Sequence, residues 1–152
     1  MKLSILITLL NEELVLAQTH AAISAQLEDM LGKDLSDYEI LYIDDGSNDK
    51  TFELIEELAR DNDRVNYIRF SRNFGRESGI LAGFKYATGD AVMVMDGDLQ
   101  HPPYLIPLFL EAYKEGYDVV SGQRTRDGES FVGSTFARLF YFLSNRSMDV
   151  HL

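Results

Sequence analysis

The chain alternates between short apolar runs and longer segments of helical period. Leu3–Leu9 is broken only by Ser4 and Thr8 and reads as a buried strand. Similar strands are expected at Glu39–Ile43, Val65–Phe70, Ala91–Met95 and Tyr117–Ser121. Between them lie helical patterns. The first runs from a capping Asn11 to about Leu31, with Leu14, Ala17, Ala21, Ile23 and Leu27 inward and Gly32 as the stop. Others are expected over Lys50–Arg60 with Phe52, Ile55 and Leu58 inward, over Phe74–Ala87, and from Pro103 to about Glu115. A last helix covers about Glu129–Asn145. Strands alternating with helices predict an α/β fold, a mostly parallel sheet with helices on both faces.

This arrangement gives the polar clusters a common address. In open parallel sheets, ligands bind outside the carboxyl ends of the strands. Asn11-Glu12, Asp44-Asp45, Ser71-Arg72-Asn73 and Asp96-Gly97-Asp98 each follow a strand. Four polar strand ends should therefore share one rim.

Composition narrows the picture. The 152 residues are 45% hydrophobic, enough for one domain with a core. There is no cysteine, so disulfides and thiolate metal sites are excluded, which fits a reducing compartment and a cytoplasmic setting. No apolar run approaches the roughly 20 residues of a membrane span. The net charge is −11, with almost all the excess acid before residue 121. An acidic body argues against nucleic acid, which needs a basic footprint.

The chemistry concentrates in Asp96-Gly97-Asp98. Two carboxylates at i and i+2 after a buried strand suit Mg2+ or Mn2+, which take oxygen ligands and keep positions open for phosphate. Gly97 would let the chain turn tightly between them, and Gln100 adds a neutral carbonyl. The competing reading is an acidic turn in which Asp98 caps the next helix. Asp44-Asp45-Gly46-Ser47 offers acceptors for a base imide N–H or a ribose hydroxyl. It is equally ordinary loop chemistry, with Asn48 or Asp49 capping a helix. Arg69, Arg72 and Arg76 flank Asn73-Phe74-Gly75 and suit a diphosphate, with N–H groups after Phe74 as further donors, or else they pair with local acids. Arg124 and Arg126 suit phosphate. His20, His101 and His151 have no ligand spacing.

A nicotinamide dehydrogenase would need Gly-x-Gly-x-x-Gly after the first strand, where Leu10-Asn11-Glu12 stands. A haloacid-type phosphatase would place its paired aspartates after the first strand.

Leu9-Leu10-Asn11-Glu12-Glu13, Asp44-Asp45-Gly46-Ser47, Arg72-Asn73-Phe74-Gly75, Asp96-Gly97-Asp98-Leu99-Gln100, Pro102-Pro103 and Gly122-Gln123-Arg124 occur in order along nearly the whole chain. This series resembles family 2 glycosyltransferases, nearest the dolichol-phosphate mannosyltransferase and bactoprenol glucosyltransferase branch. The resemblance implies a GT-A fold and a nucleotide-sugar donor, UDP- or GDP-linked. It implies Mg2+ or Mn2+ at Asp98, with Asp96 near ribose or metal and Gln100 nearby. It sets Asp44 or Asp45 against the base, beside Thr8, Leu9, Leu10, Asn11 and Glu12, and Arg124 near a donor or acceptor phosphate. Asp98 and Arg124 are the catalytic candidates. The implied reaction inverts the anomeric carbon, with a polyprenyl-phosphate acceptor at the cytoplasmic face of a membrane. A saccharide hydroxyl acceptor is the alternative. Thr8 and Leu10 replace residues common in the family, and His101 replaces a common acid.

Family members continue past the position of Leu152. Residues 1–152 are therefore expected to be a single nucleotide-sugar-binding domain, cut before the acceptor half, that binds donor without transferring it. The apolar band Phe131, Val132, Phe136, Leu139, Phe140, Phe142 and Leu143 reads as a core helix, an oligomer contact or a lipid-facing surface.

Overall fold

The computed structural model describes residues 1–98 and 102–122. The chain divides into two compact units, Met1–Asp118 and Val119–Leu152, and the elements below all lie in the first. In order they are β1 (Lys2–Leu9), α1 (Leu16–Met30), β2 (Asp37–Asp44), α2 (Thr51–Asp61), β3 (Val65–Arg69), α3 (Arg76–Tyr86), β4 (Ala91–Asp96) and α4 (Leu105–Lys114). The four strands form one sheet in the order β3-β2-β1-β4, every pair parallel. The chain thus steps outward from β1 through β2 to β3, then crosses back to place β4 on β1's other side. The topological switch point falls between β1 and β4, where ligands of doubly wound folds bind.

Strand periodicity sorts β1 and β2 onto two faces. Leu3, Ile5, Ile7 and Leu9 of β1 join Tyr38, Ile40 and Tyr42 of β2 against Leu16, Ile23 and Leu27 of α1, Ile55 of α2, and Ile106 and Leu110 of α4. Each fully buried aliphatic side chain contributes about 1.5–3 kcal/mol by area. On the other face Leu6, Leu41 and Ile43 are packed by Ile68, Phe70, Val92 and Val94. There α3 approaches through Gly79 and Gly83, where a Cβ would come within 2.9 Å of Thr8 and 2.7 Å of Leu6. Helices cover both faces, as the alternating pattern requires.

The first helical expectation needs correction. α1 begins at Leu16, and Asn11 does not cap it. Asn11 takes φ +57 and its side-chain oxygen accepts from the Asn48 N–H at 2.8 Å. Leu14 is 92% exposed and Ala17 and Ala21 are also outward, while Leu16, Thr19, Ile23, Leu27 and Met30 face the core. The segment before α1 is a loop that closes with a single turn, Leu16 N–H donating to the Glu12 carbonyl at 3.0 Å. α3 and α4 likewise start two residues later than expected, at Arg76 and Leu105.

No fifth strand lies among the described residues. Residues 117–122 belong to no strand, and Tyr117 and Val119 are exposed. Residue type alone suggested it, and β propensity without a ladder partner does not hold an extended segment. The helix expected near Glu129–Asn145 and its apolar band lie outside the described residues.

A buried polar cluster sits on the α3 face, at the sheet's amino end. Glu39 of β2 is buried, and accepts hydrogen bonds from Ser4 Oγ at 2.5 Å and the Thr88 N–H at 2.6 Å, while Gly89 N–H donates to Ser4 Oγ at 2.8 Å. Burial pushes the Glu39 carboxyl up, but those hydrogen bonds and the Lys2 charge outweigh it and leave the carboxyl below its ordinary value. A depressed carboxyl stabilises the fold above its unfolded value, and that stabilisation is lost as pH falls through the lower folded value. Glu39→Gln is therefore expected to lower stability at pH 7, and the deficit should shrink as pH falls below the ordinary carboxylate value and through the lower folded one. Urea unfolding across that window measures the convergence.

Candidate functional site

Parallel pairing brings the carboxyl ends of all four strands to one rim, with Thr8 level with Asp96, Leu9 with Asp44, and Asp44 with Arg69. The loops leaving those ends hold one another. Asp45 N–H donates to the Leu9 carbonyl at 2.9 Å, and Phe70 N–H to the Asp44 carbonyl at 2.8 Å. The Leu10–Glu13 loop is then stitched to the loop after β2. Asn11 N–H donates to Ser47 Oγ at 3.0 Å, Glu12 N–H to Thr51 Oγ1 at 2.8 Å, and Lys50 N–H to the Glu13 carboxylate at 2.9 Å. Asp49 accepts from both the backbone and the hydroxyl of Thr51, as a helix-start acid should. These partners keep the Asp49 carboxyl low although burial opposes it.

The two aspartates after β2 have separate work. Both Asp45 oxygens are engaged, Oδ1 with the Phe74 N–H at 2.7 Å and Oδ2 with the Gly75 N–H at 3.0 Å. Asp45 thus clamps the loop that leads into α3. The Gly75 N–H, expected to offer itself to an anion, is committed to Asp45 and to Asn73 Oδ1. Asp44 is fully buried. Its Oδ1 accepts from the Ser47 N–H at 3.1 Å. Its Oδ2 lies 3.4 Å from Arg69 Nε in an ion pair but makes no hydrogen bond. Arg69 is held over the Phe52 ring, its guanidinium carbon 3.9 Å from the centroid.

Asp45→Asn should test the clamp. An amide accepts from one of the two N–H groups and turns its own NH2 toward the other. The expected cost is about 2 kcal/mol, typical of hydrogen bonds to a charged acceptor. Faster amide exchange at Phe74 and Gly75 would accompany it, and unchanged exchange there would count against the clamp.

At the β4 end the second acidic pair faces the switch-point crevice. Asp96 ends the strand, and its Oδ1 accepts two hydrogen bonds from Arg76, Nε at 3.0 Å and Nη2 at 2.6 Å. Arg76 is the first residue of α3, so the helix start reaches across to β4. Arg72 lies over the Phe74 ring at 4.5 Å, and Phe74 meets Phe70 edge-on at 5.5 Å. Gly97 is required for a reason other than a tight turn. A Cβ there would run into the buried Leu9 side chain, and the Gly97 carbonyl accepts from the buried Thr19 hydroxyl at 2.8 Å. Gly97 has no positive φ. Asp98 is exposed beyond it.

Glu12, on the loop after β1, has its carboxyl raised, first by burial and then by the charges of Asp98 and Asp49. Negative potential therefore gathers between β1 and β4. Among the described residues no group of three or more His, Cys, Asp or Glu is placed to hold a metal ion. The oxygen donors suit a hard cation that takes one or two protein carboxylates and completes its shell with phosphate and water.

Residues 4–150 match the family described as Glycosyl transferase family 2. The chain belongs to that family. Among its relatives is CsbB of Bacillus subtilis (strain 168), named as a glycosyltransferase, 53% identical over 116 residues, covering 76% of this chain and 35% of that protein. Another is the undecaprenyl-phosphate 4-deoxy-4-formamido-L-arabinose transferase of Aeromonas hydrophila, 34% identical over 150 residues, covering 98% of this chain and 45% of the relative. The chain spans less than half the length of the curated relatives it matches. The mannosyltransferase PcManGT of Pyrobaculum calidifontis, solved with GDP-Man and Mn2+, superposes with TM-score 0.55 at 18% identity, covering 63% of this chain and 27% of that one. The fold is of the GT-A type.

The residues expected at the site thus sort into three groups. Leu10, Asn11, Glu12, Asp44, Arg72, Asp96 and Asp98 lie on strand ends or loops of one rim, with Arg76 at the start of α3 and Thr8 one residue inside the end of β1. Leu9, Asp45 and Gly75 are engaged in holding the loops, and Leu9 buries its side chain. Gln100 and Arg124 lie outside the described residues. Ser47, Thr51 and Glu13 went unnoticed as loop fasteners. For Ser47 and Thr51 the signal was a run of short polar side chains, the residue types that bond nearby backbone, directly after an Asp-Gly turn, but their partners Asn11 and Glu12 lie on another loop. No described helix is long and apolar enough to cross a membrane.

Proposed function

We propose that this chain is the donor-binding part of an inverting, metal-dependent glycosyltransferase. In this reading it moves a sugar from a nucleoside diphosphate to a polyprenyl phosphate at the cytoplasmic face of a membrane. The observation that carries the reading is the switch-point crevice. There the loops after β1 and β4 carry Glu12 and Asp98, near enough that the Asp98 charge helps raise the Glu12 carboxyl, inside a family 2 fold.

Asp98 and Asp96 would hold Mg2+ or Mn2+, with Gln100 nearby, and the cation would offset the charge that builds on the departing diphosphate. The chain's own residues do the rest. Asp44 is the better candidate for the base, because both Asp45 oxygens are already taken by Phe74 and Gly75. An imide N–H, present in uracil and guanine, is the partner an ionised carboxylate accepts from. Arg69 must shift for that contact, since Asp44 Oδ2 is buried beneath it. Arg72 and Arg76 stand at the diphosphate side, and Arg124 is assigned to a donor or acceptor phosphate. A phosphate acceptor is ionised at neutral pH and needs little help from a general base. The relative named as an undecaprenyl-phosphate transferase supports that acceptor class.

Calorimetry with uridine and guanosine diphosphates, with and without Mn2+, tests the reading. Mn2+-dependent binding of one of them is expected, and no binding of either overturns it.

A further inference from the structure

We infer that Arg76 is a partner-exchanging residue. It neutralises Asp96 while the site is empty and moves to the diphosphate when the nucleotide arrives, so cation and nucleotide bind as a unit. The inference rests on the donor-site reading above.

Four observations support it. Both Arg76 bonds converge on one oxygen, Asp96 Oδ1, at 3.0 and 2.6 Å. The pair is open to a ligand, with the Arg76 side chain 50% exposed and that of Asp96 28%. An ion pair in that setting is weakly held and exchanges readily. The Arg76 backbone is held at a rigid helix start, and its side chain is half exposed with Asp96 as its hydrogen-bonded partner. Gly75, at φ +93, is pinned by Asp45 just before it, so a long side chain pivots from a rigid helix start. Finally, a guanidinium fork fits a phosphate as well as it fits a carboxylate.

The consequence is electrostatic. With Arg76 on Asp96, the Asp96-Gly97-Asp98 turn is less negative by one unit, and a cation arriving alone meets a weaker field. A diphosphate that draws Arg76 away makes the turn more negative at the moment it brings its own oxygens. Asp45 joins the two halves of the rim. Its clamp on Phe74 and Gly75 sets where Arg76 begins, and Arg76 sets the state of Asp96.

Mn2+ titration followed by electron paramagnetic resonance, with and without the nucleoside diphosphate, reads the exchange without any turnover. Wild type is expected to bind Mn2+ weakly alone and much more tightly with nucleotide. Arg76→Met should bind Mn2+ alone about tenfold more tightly, the scale expected from deleting a unit positive charge a few ångströms away at a partly screened surface. Its nucleotide-induced gain should largely disappear. Arg76→Lys keeps the charge and should stay near wild type for Mn2+ alone. Asp96→Asn releases Arg76 without altering α3, and its metal-free affinity for nucleotide should rise several-fold. Circular dichroism melts confirm that each variant is folded. Mn2+ affinity in Arg76→Met at or below wild type, or unchanged metal-free nucleotide affinity in Asp96→Asn, makes Arg76 a static brace and overturns the exchange. A wild-type chain that binds neither nucleotide overturns the donor-site reading and the exchange with it. Wild-type binding with inert variants overturns the exchange alone.

Discussion

Asp98→Asn is expected to abolish Mn2+-dependent binding of the nucleoside diphosphate while leaving the fold intact. Asp98 is exposed at the end of a turn whose neighbour Gly97 is fixed by Thr19 and Leu9, so the substitution removes charge without disturbing packing. The loss should reach at least about 100-fold, because even partners behind a metal's ligands typically alter affinity 10–100-fold. Removing Asp98 also removes one of the two charges that raise the Glu12 carboxyl. The Glu12 pKa should fall toward its ordinary value in the variant, a change that carbon-detected NMR of the Glu12 carboxyl can follow. Equal nucleotide affinity in Asp98→Asn, with and without Mn2+, would sink the metal assignment. An unmoved Glu12 would show that burial and Asp49 raise it without Asp98.

The second large effect is on stability, at Gly46. This residue has φ +77, and a Cβ on it would lie 2.5 Å from the Arg72 carbonyl carbon and 2.8 Å from the Arg72 Cα. Backbone cannot rotate aside as a side chain does. Gly46→Ala therefore combines left-handed strain of about 1–2 kcal/mol with an overpacking cost of about 1–3 kcal/mol. A drop of roughly 5–15 °C in Tm is expected for a domain of this size. The damage should also be local and directed. Pushing residues 72–73 away from the loop after β2 loosens the Asp45 clamp on Phe74 and Gly75, so nucleotide affinity should fall along with stability. Gly32→Ala is the control, since Gly32 has the same φ of +77 but nothing within 4 Å of its Cβ position. If both variants lose the same amount, contact with Arg72 is not what makes Gly46 necessary.

How much of this was legible beforehand varies along the chain. The positions of β1 and β2 followed from apolar runs bounded by polar clusters, because strands buried on both faces carry few other residue types, whereas the edge strand β3 keeps Asn66, Tyr67 and Arg69 exposed. The ordered series of motifs identified the family and hence the fold. The start of α1 was misplaced because Asn11 offers two outlets for its side chain, a helix cap or a loop contact. Only the approach of Asn48, 37 residues away, decides between them. The fifth strand was overcalled because residue type does not supply a ladder partner. Glu39, a charge inside an apolar strand, carried a signal that went unread. Its partners Ser4 and Thr88 lie on other segments and are invisible in a local window.

The sequence alone determined that four polar clusters would meet. Once four strands run parallel, their carboxyl ends have no choice but to share a rim, and the acids there came from the chain itself. It also determined which chemistry the rim suits, since oxygen donors without sulfur select hard cations and phosphates. The tertiary structure decided how those groups divide the work. Asp44 and Asp45 are neighbours of the same type, yet one is buried under Arg69 and the other clamps the entry to α3. Arg76 read as a phosphate ligand in sequence, and folding set it on Asp96. Sequence fixes each charge, while its partner depends on distances across the sheet that only the packing of α3 against β1 and β2 establishes.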